Sequence, residues 1–224
     1  MELLIAYLGS AFYLVNILTW GLLLKKKREG VGILGCLLPF GYISSSEPAS
    51  ICSIGLFMIY LWLYIGQAIT MLATGFSNEI YVTSFTVITI FELFFLFRIG
   101  LGLQINRRLL FYGFAALTEL SIVAAITTIL AKDLQALNIM DFFMLVAKLV
   151  LSIAIIEKII IDGLVEEYLP VVFIVVSFAI FCILHMFTTG FQIIAFHENF
   201  YISQLSTIFV LCFWFGGSLW LRKT

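Results

Sequence analysis

Long apolar stretches alternate with short polar ones along the whole chain. Seven of the apolar stretches have the length of about 20 residues that a membrane-spanning helix needs. They cover residues 3–24, 48–74, 80–99, 109–131, 142–161, 169–194 and 201–221. The pattern therefore predicts an all-α, polytopic membrane protein, built as a bundle of about seven transmembrane helices.

Residues 30–47 form one more apolar segment, between the first two spans. They are rich in glycine and interrupted by Pro39, so a continuous helix is less expected there. The positions of Lys and Arg decide whether this segment is an eighth span, because cytoplasmic loops carry an excess of both residues. With seven spans, all of the following fall on one side of the membrane: Lys25, Lys26, Lys27, Arg28, Arg98, Arg107, Arg108, Lys158, Arg222 and Lys223.

An eighth span would move the last six of these cations to the opposite side. The positive-inside rule therefore predicts seven spans, with the N-terminus outside, the C-terminus in the cytoplasm and Lys132 on the outer side. Residues 30–47 then form a re-entrant or an interfacial segment on the cytoplasmic side. The predicted cytoplasmic anchors are Lys25, Lys26, Lys27, Arg28, Arg107 and Arg108. The loops are short, so residues 1–224 are expected to form a single transmembrane domain without a soluble domain.

Composition agrees with a membrane protein. Hydrophobic residues make up 63% of the chain and charged residues 11%, and the mean hydropathy is +1.16. Soluble domains are about half apolar and about a quarter charged. The net charge of −1 argues against binding to nucleic acid, which requires a basic surface. The four cysteines are scattered without a CxxC pair, so neither a metal site nor a cofactor is predicted.

Ionisable residues inside the predicted spans are the candidate chemistry, because a charge there costs about 2.5–3.5 kcal/mol even on lenient insertion scales. These residues are Glu92, Glu119, Lys148 and His185, accompanied by the neutral Gln67 and Asn16. Counted along each helix, both carboxylates fall near the middle of the bilayer, and Lys148 and His185 fall nearer its outer surface. The sequence therefore predicts a polar layer rather than scattered charges.

Side-chain direction favours one ion pair within this layer. Helical side chains lean toward the N-terminus of their own helix, so Glu92 and Lys148 both lean toward the outside and Glu119 leans toward the cytoplasm. Glu92–Lys148 is thus a better-oriented pair than Glu119–Lys148, provided that the third and fifth spans touch. Three interpretations of the layer remain open: structural ties between helices, a hydrated site that carries protons or a cation, and contacts with opposite charges on a neighbouring subunit.

The fourth span also has a face of small residues, with Ser121 and Ala125 four positions apart. Such faces allow close helix packing, either within one chain or between two chains.

Sequence motifs of known catalytic chemistry are not found in the chain. The two histidines are twelve residues apart rather than in HExxH spacing, and a GxSxG motif is missing. A hydrolase built from Ser218 and His185 is a weaker alternative. So is a divalent-cation site at Asp162, Glu166 and Glu167.

These observations give one leading functional hypothesis and two alternatives. The leading hypothesis is a membrane protein that moves a small solute or ion, with protons coupled through Glu92 and Glu119. The first alternative is a non-catalytic subunit of a larger membrane complex, and the second is an intramembrane enzyme or receptor. The expected partners are the lipid bilayer and either other membrane subunits or a second copy of the chain.

Overall fold

The fold is all-α, as the hydropathy pattern predicts. The computed structural model describes residues 2–27, 32–38, 49–75, 77–132, 135–195 and 200–223, and all regular secondary structure in these ranges is helical. The helices are α1 (Glu2–Lys27), α2 (Ile33–Leu37), α3 (Ala49–Thr74), α4 (Asn78–Gly102), α5 (Arg107–Ala131), α6 (Gln135–Ile161), α7 (Leu169–Ala195) and α8 (Phe200–Lys223).

Five helices are long and apolar enough to cross a membrane: Ile51–Thr74, Glu79–Gly102, Arg107–Ala131, Gln135–Ile161 and Leu169–Gly190. Helix α8 also contains an apolar stretch, Thr207–Arg222. A multi-pass integral membrane protein is therefore supported, and the count of seven spans remains a prediction.

Local sequence explains where several helices begin and end. Ser77 caps α4 by accepting a hydrogen bond from the backbone N–H of Ile80, and Asn106 caps α5 in the same way. Lys132 adopts a left-handed conformation that ends α5.

The span predicted for residues 142–161 begins too late. In the structure α6 starts at Gln135, because Leu137 and Met140 continue its buried face for two more turns. This correction matters for the site, since it places Asp141 inside the helix.

The long helices pack in a ring in which most neighbours along the chain are also neighbours in space. Helix α1 packs on α3 and α8, α3 packs on α4, α6 packs on α7, and α7 packs on α8. The ring closes where α4 touches α6, and α3 touches α7 across it. The main hydrophobic core includes Trp20, Phe57 and Trp214, whose rings meet edge to face.

Helix α5 lies outside this ring. It packs on α4 and α6, which contact each other behind it. Its inward face carries the small residues singled out in the sequence, with Ser121 fully buried and Ala125 at 8% exposure. Ser121 lies next to Met144 of α6. The small-residue face therefore serves packing within the chain, and the opposite face of α5 is exposed.

Part of the predicted re-entrant or interfacial segment is described as α2. This short helix packs on α1, where Cys36 is fully buried and Gly21 leaves room for Leu37. The indole N–H of Trp62 in α3 donates to the carbonyl of Leu37 at 2.9 Å. Leu34 on the other side of α2 is exposed. Residues 28–31 and 39–48 lie outside the described ranges, so only this part of the segment can be placed.

Basic residues gather where α1 and α8 end, and we call this end of the bundle the basic end. Lys26 donates to the carbonyl of Arg222 at 2.6 Å. The ends of both helices and the start of α7 surround a cleft of about 300 Å³. The cleft is lined by Leu23, Lys26, Lys27, Glu166, Leu169, Pro170 and Leu221.

Candidate functional site

Glu92 of α4 and Lys148 of α6 are the buried charged side chains of the described ranges, with exposed fractions of 3% and 1%. Lys148 Nζ donates to Glu92 Oε2 where the two helices touch. The residues lie 14 and 13 positions from the starts of their helices, which is about 20 Å along each axis. The structure thus forms the pair that side-chain direction favours, near the middle of both helices.

The pair leaves one polar atom unsatisfied. Glu92 Oε1 is buried and has no hydrogen-bond partner within the described ranges. Buried polar groups are normally hydrogen-bonded, and an unpaired one calls for an explanation. An ion pair that served stability alone would gain from satisfying both carboxylate oxygens. The unpartnered oxygen is therefore an atom at which a proton or a cation could bind.

Asp141 extends the ionisable series along α6. It lies seven residues before Lys148, which is two helical turns away on the same face. Asp141 is half-buried, and its Oδ2 accepts a hydrogen bond from Thr189 of α7 at 3.2 Å. Its carboxylate is within electrostatic range of both Lys148 and Glu92. The series therefore runs from the middle of α6 toward the end of the bundle opposite the basic end.

Helix α7 supplies the neighbouring wall of this series. His185 lies one turn before Thr189 and within electrostatic range of Lys148. Its ring contacts the ring of Phe181, and its Nε2 lies 3.5 Å from the hydroxyl of Thr207 in α8. Lys148 is also within electrostatic range of the buried Cys182.

Three tyrosines of α1 and α3 lie in the neighbourhood of Glu92. Tyr13 of α1 stacks on Tyr64 of α3 with ring centroids 5.0 Å apart, and Tyr60 meets Tyr64 edge to face. All three are within electrostatic range of Glu92. Five helices, α1, α3, α4, α6 and α7, therefore contribute polar groups to the neighbourhood of the pair.

The polar series ends just past Lys148. Ser152 lies one turn closer to the basic end, is fully buried, and has no hydrogen-bond partner for its hydroxyl within the described ranges. Beyond it, the buried side chains of α6 and α7 are mainly apolar, among them Ile155, Ile159 and Ile174, and the hydroxyl of the buried Ser177 donates to the carbonyl of Phe173 in its own helix. The site is thus polar toward one end of the bundle and closed by apolar packing toward the other.

The structure does not bring Glu119 to this layer. Glu119 is exposed, because the small-residue face of α5 points inward and Glu119 lies on the other side of the helix. The expectation that Glu92 and Glu119 form one central layer was based on depth alone, and depth does not fix the direction in which a side chain points.

The two neutral polar residues tie pairs of helices together. Gln67 donates to the hydroxyl of Ser84 at 3.0 Å and links α3 to α4. Asn16 donates to the carbonyl of Leu211 at 3.0 Å and links α1 to α8. Both contacts serve helix packing, and neither is made with Glu92, Lys148 or Asp141.

The predicted anchor cations lie at the ends of helices. Exposed side chains are found in the last turn of α1 and the first turn of α5, at Lys25, Lys26, Lys27, Arg107 and Arg108. Arg28 lies outside the described ranges.

The alternative sites gain no support from the geometry. The hydroxyl of Ser218 donates to the carbonyl of Phe215 in its own helix, and His185 faces Phe181 and Thr207 instead. Asp162 pairs with Lys158 at 2.8 Å on the surface. Within the described ranges, no group of three His, Cys, Asp or Glu side chains is placed to hold a metal ion.

Asp141, Thr189 and the three tyrosines were not among the residues predicted from sequence. The signal for Asp141 was its spacing of seven from Lys148, which was hidden because the predicted span began after it. The signal for Thr189 was its spacing of four from His185. The tyrosines come from helices distant in sequence, and their assembly around Glu92 follows from the packing of α1, α3 and α4.

No protein-family model, curated protein or solved structure matches the chain.

Proposed function

We propose that this protein moves a small ion or solute across the membrane, and that Glu92 binds the proton or cation on which the movement depends. The observation that carries this proposal is the buried, unpartnered oxygen Glu92 Oε1, beside an oxygen that pairs with Lys148. Ionisable residues within membrane spans commonly mark ion pathways and proton relays.

The path to Glu92 leads through Asp141, Thr189 and His185. Asp141 and Thr189 lie about 9 Å along their helices from the ends opposite the basic end. His185 follows one turn deeper. These three side chains, and Lys148 after them, can accept or donate a proton, so the path covers the two turns of α6, about 10 Å, that separate Asp141 from Lys148.

The basic end is the cytoplasmic side of this proposal, since cytoplasmic loops are rich in Lys and Arg. The protein then has seven spans, and its polar half opens toward the outside. The apolar half below Ser152 must open in a second arrangement, as in alternating access. Lys148 would pair with Glu92 until a proton or a cation competes for the carboxylate.

A second candidate function is that of a non-catalytic subunit in a larger membrane complex. The observation that favours it is the exposed position of Glu119 in the middle of α5. A carboxylate facing lipid at that depth is costly, whereas a carboxylate facing a partner is not.

The test is a flux assay on the purified protein in liposomes that contain a pH-sensitive dye. We expect the wild-type protein to dissipate an imposed proton gradient. Glu92→Gln and Asp141→Asn should each slow this flux by about 100-fold, the contribution of a positioned proton-transfer group. Glu119→Gln is the matched control: it removes a carboxylate at similar depth but off the path, and it should leave the flux unchanged.

A loss of flux has to be separated from a loss of folding. The double variant Glu92→Gln/Lys148→Met removes both charges together and should fold, because neither charge is left alone in the core. We expect it to show no flux and a normal unfolding temperature. Normal flux in the double variant would remove Glu92 from the mechanism.

A further inference from the structure

The exposed side of α5 carries a carboxylate at its centre. Glu119 lies 12 residues from each end of the helix Arg107–Ala131, or about 18 Å along its axis. It is exposed and makes no ion pair or hydrogen bond to another side chain in the described part of the protein. Exposing this carboxylate to lipid at this depth would cost about as much free energy as placing any isolated charge inside the membrane.

The residues around Glu119 form a regular exposed stripe. Together with Glu119 they follow alternating spacings of three and four, which is the pattern of a helix seam that packs against another helix. The stripe is Leu109, Tyr112, Ala116, Glu119, Val123, Ile126 and Leu130. The described part of the chain leaves this stripe uncovered, since the contacts of α5 in it are made with α4 and α6 on its other side.

We propose that this stripe, the outer face of α5, docks a transmembrane helix of another protein that carries a lysine or an arginine at mid-bilayer opposite Glu119. A cationic side chain there would pair with the carboxylate and remove the cost of exposing it to lipid. A single ionic contact in an apolar seam would also fix the register and the choice of partner.

Charge distribution argues against a second copy of this chain as the occupant. In a symmetric dimer through this face, Glu119 would meet Glu119, and the two like charges would repel. The chain has one cation in the middle of a span, Lys148, and it is buried and paired with Glu92. The exposed cations of α5, Arg107 and Arg108, lie at its end rather than at its centre.

The docking face can be tested with designed helices, since the natural partner is unidentified. Two transmembrane peptides of about 25 residues, both of leucine and alanine, differ only in a central lysine or leucine. Association with the full-length protein is measured by energy transfer in phosphatidylcholine vesicles. We expect the lysine peptide to bind about tenfold more tightly, the size of one polar contact between membrane helices.

Glu119→Gln should remove this preference while leaving the fold intact, because the side chain is exposed. Glu157→Gln is the matched control: it replaces an exposed glutamate of α6 that lies near the basic end, and the preference should survive. Equal binding of the two peptides to the wild-type protein, or a preference that persists in Glu119→Gln, would overturn the proposal. Self-association of the wild-type chain that depends on Glu119 and excludes the peptide would overturn it in favour of a homo-oligomer.

Discussion

At the scale of single residues, replacing one member of the Glu92–Lys148 pair should affect stability differently from replacing both. Removing one partner leaves a buried charge without compensation, whereas removing both replaces two desolvated charges with apolar packing. The unpartnered Glu92 Oε1 adds to the cost of the intact pair. The pair is therefore expected to contribute little net stability, although each member depends strongly on the other.

The first prediction concerns Lys148 alone and in combination. Lys148→Met should lower the free energy of unfolding by about 3–5 kcal/mol, because Glu92 would be left buried and unpaired. Lys148→Met/Glu92→Leu should recover most of this loss. The measurement is unfolding of the purified protein in mixed micelles with increasing denaturing detergent.

Lys158→Met is the control for this prediction. Lys158 lies on the same helix and also pairs with a carboxylate, Asp162, but both side chains are about one-third exposed. Exposed pairs contribute about 0–1 kcal/mol, so the effect should be small. If Lys148→Met were as mild as Lys158→Met, the burial of Glu92 would not depend on its pair with the lysine.

The second prediction concerns the outer step of the proposed path. Thr189→Val keeps the shape of the side chain but removes the hydroxyl that donates to Asp141. Hydrogen bonds to charged groups contribute about 1.5–3 kcal/mol, so proton flux in liposomes should fall by about tenfold or more. Thr188→Val is the matched control, since its hydroxyl donates to the carbonyl of His185 in the same helix. Equal flux in the two variants would place the path elsewhere.

At the scale of helices, local sequence predicts the direction of a side chain better than it predicts which helices touch each other. The Glu92–Lys148 pairing could be predicted because the direction of a side chain depends on its own helix. That α4 touches α6 behind α5 depends on the packing of the whole ring, and no local pattern carries it. The small-residue face at Ser121 already indicated which side of α5 packs. Because Glu119 lies on the other side of the helix, its outward position could have been predicted from this face.

The third prediction tests the contact between α7 and α8. Gly217 of α8 is buried, and an added Cβ would overlap the ring of Phe173 in α7. That ring is held by stacking on Phe213 and by contact with Trp20, so it cannot move freely. Gly217→Ala should therefore destabilise the protein by about 1–3 kcal/mol, the usual cost of overpacking.

Gly216 provides the control at the next position of the same helix. An added Cβ there meets nothing within 4 Å. Gly216→Ala should be neutral or stabilising by up to about 1 kcal/mol, because alanine favours helix over glycine. Thermal unfolding of the two variants side by side separates the packing effect from helix propensity. Equal unfolding temperatures would mean that the helices are less closely packed at Gly217 than the structure shows.

At the scale of the whole molecule, the packing of α1 and α8 bears on the number of spans. Both helices are about as long as the five that are apolar enough to cross a membrane, since α1 covers Glu2–Lys27 and α8 covers Phe200–Lys223. Helix α1 buries Trp20 and α8 buries Trp214, and the two rings meet Phe57 of α3 in the main core. Two helices that each supply a fully buried tryptophan to the core of the bundle are expected to cross the membrane together with it. The count of seven spans remains a prediction.

The last prediction follows from this count. In a chain whose own cysteines are replaced, single cysteines are introduced by Glu2→Cys, Lys27→Cys, Lys132→Cys and Arg222→Cys, and intact cells are treated with a membrane-impermeant maleimide. Seven spans with the basic end in the cytoplasm predict labelling at positions 2 and 132, and protection at 27 and 222 until the membrane is permeabilised. Labelling of positions 2 and 27 from the same side would show that α1 does not cross. The opposite labelling result at all four positions would keep the seven spans but invert their orientation. The polar half of the Glu92 site would then face the cytoplasm, and the proposed path would take up its proton from inside the cell.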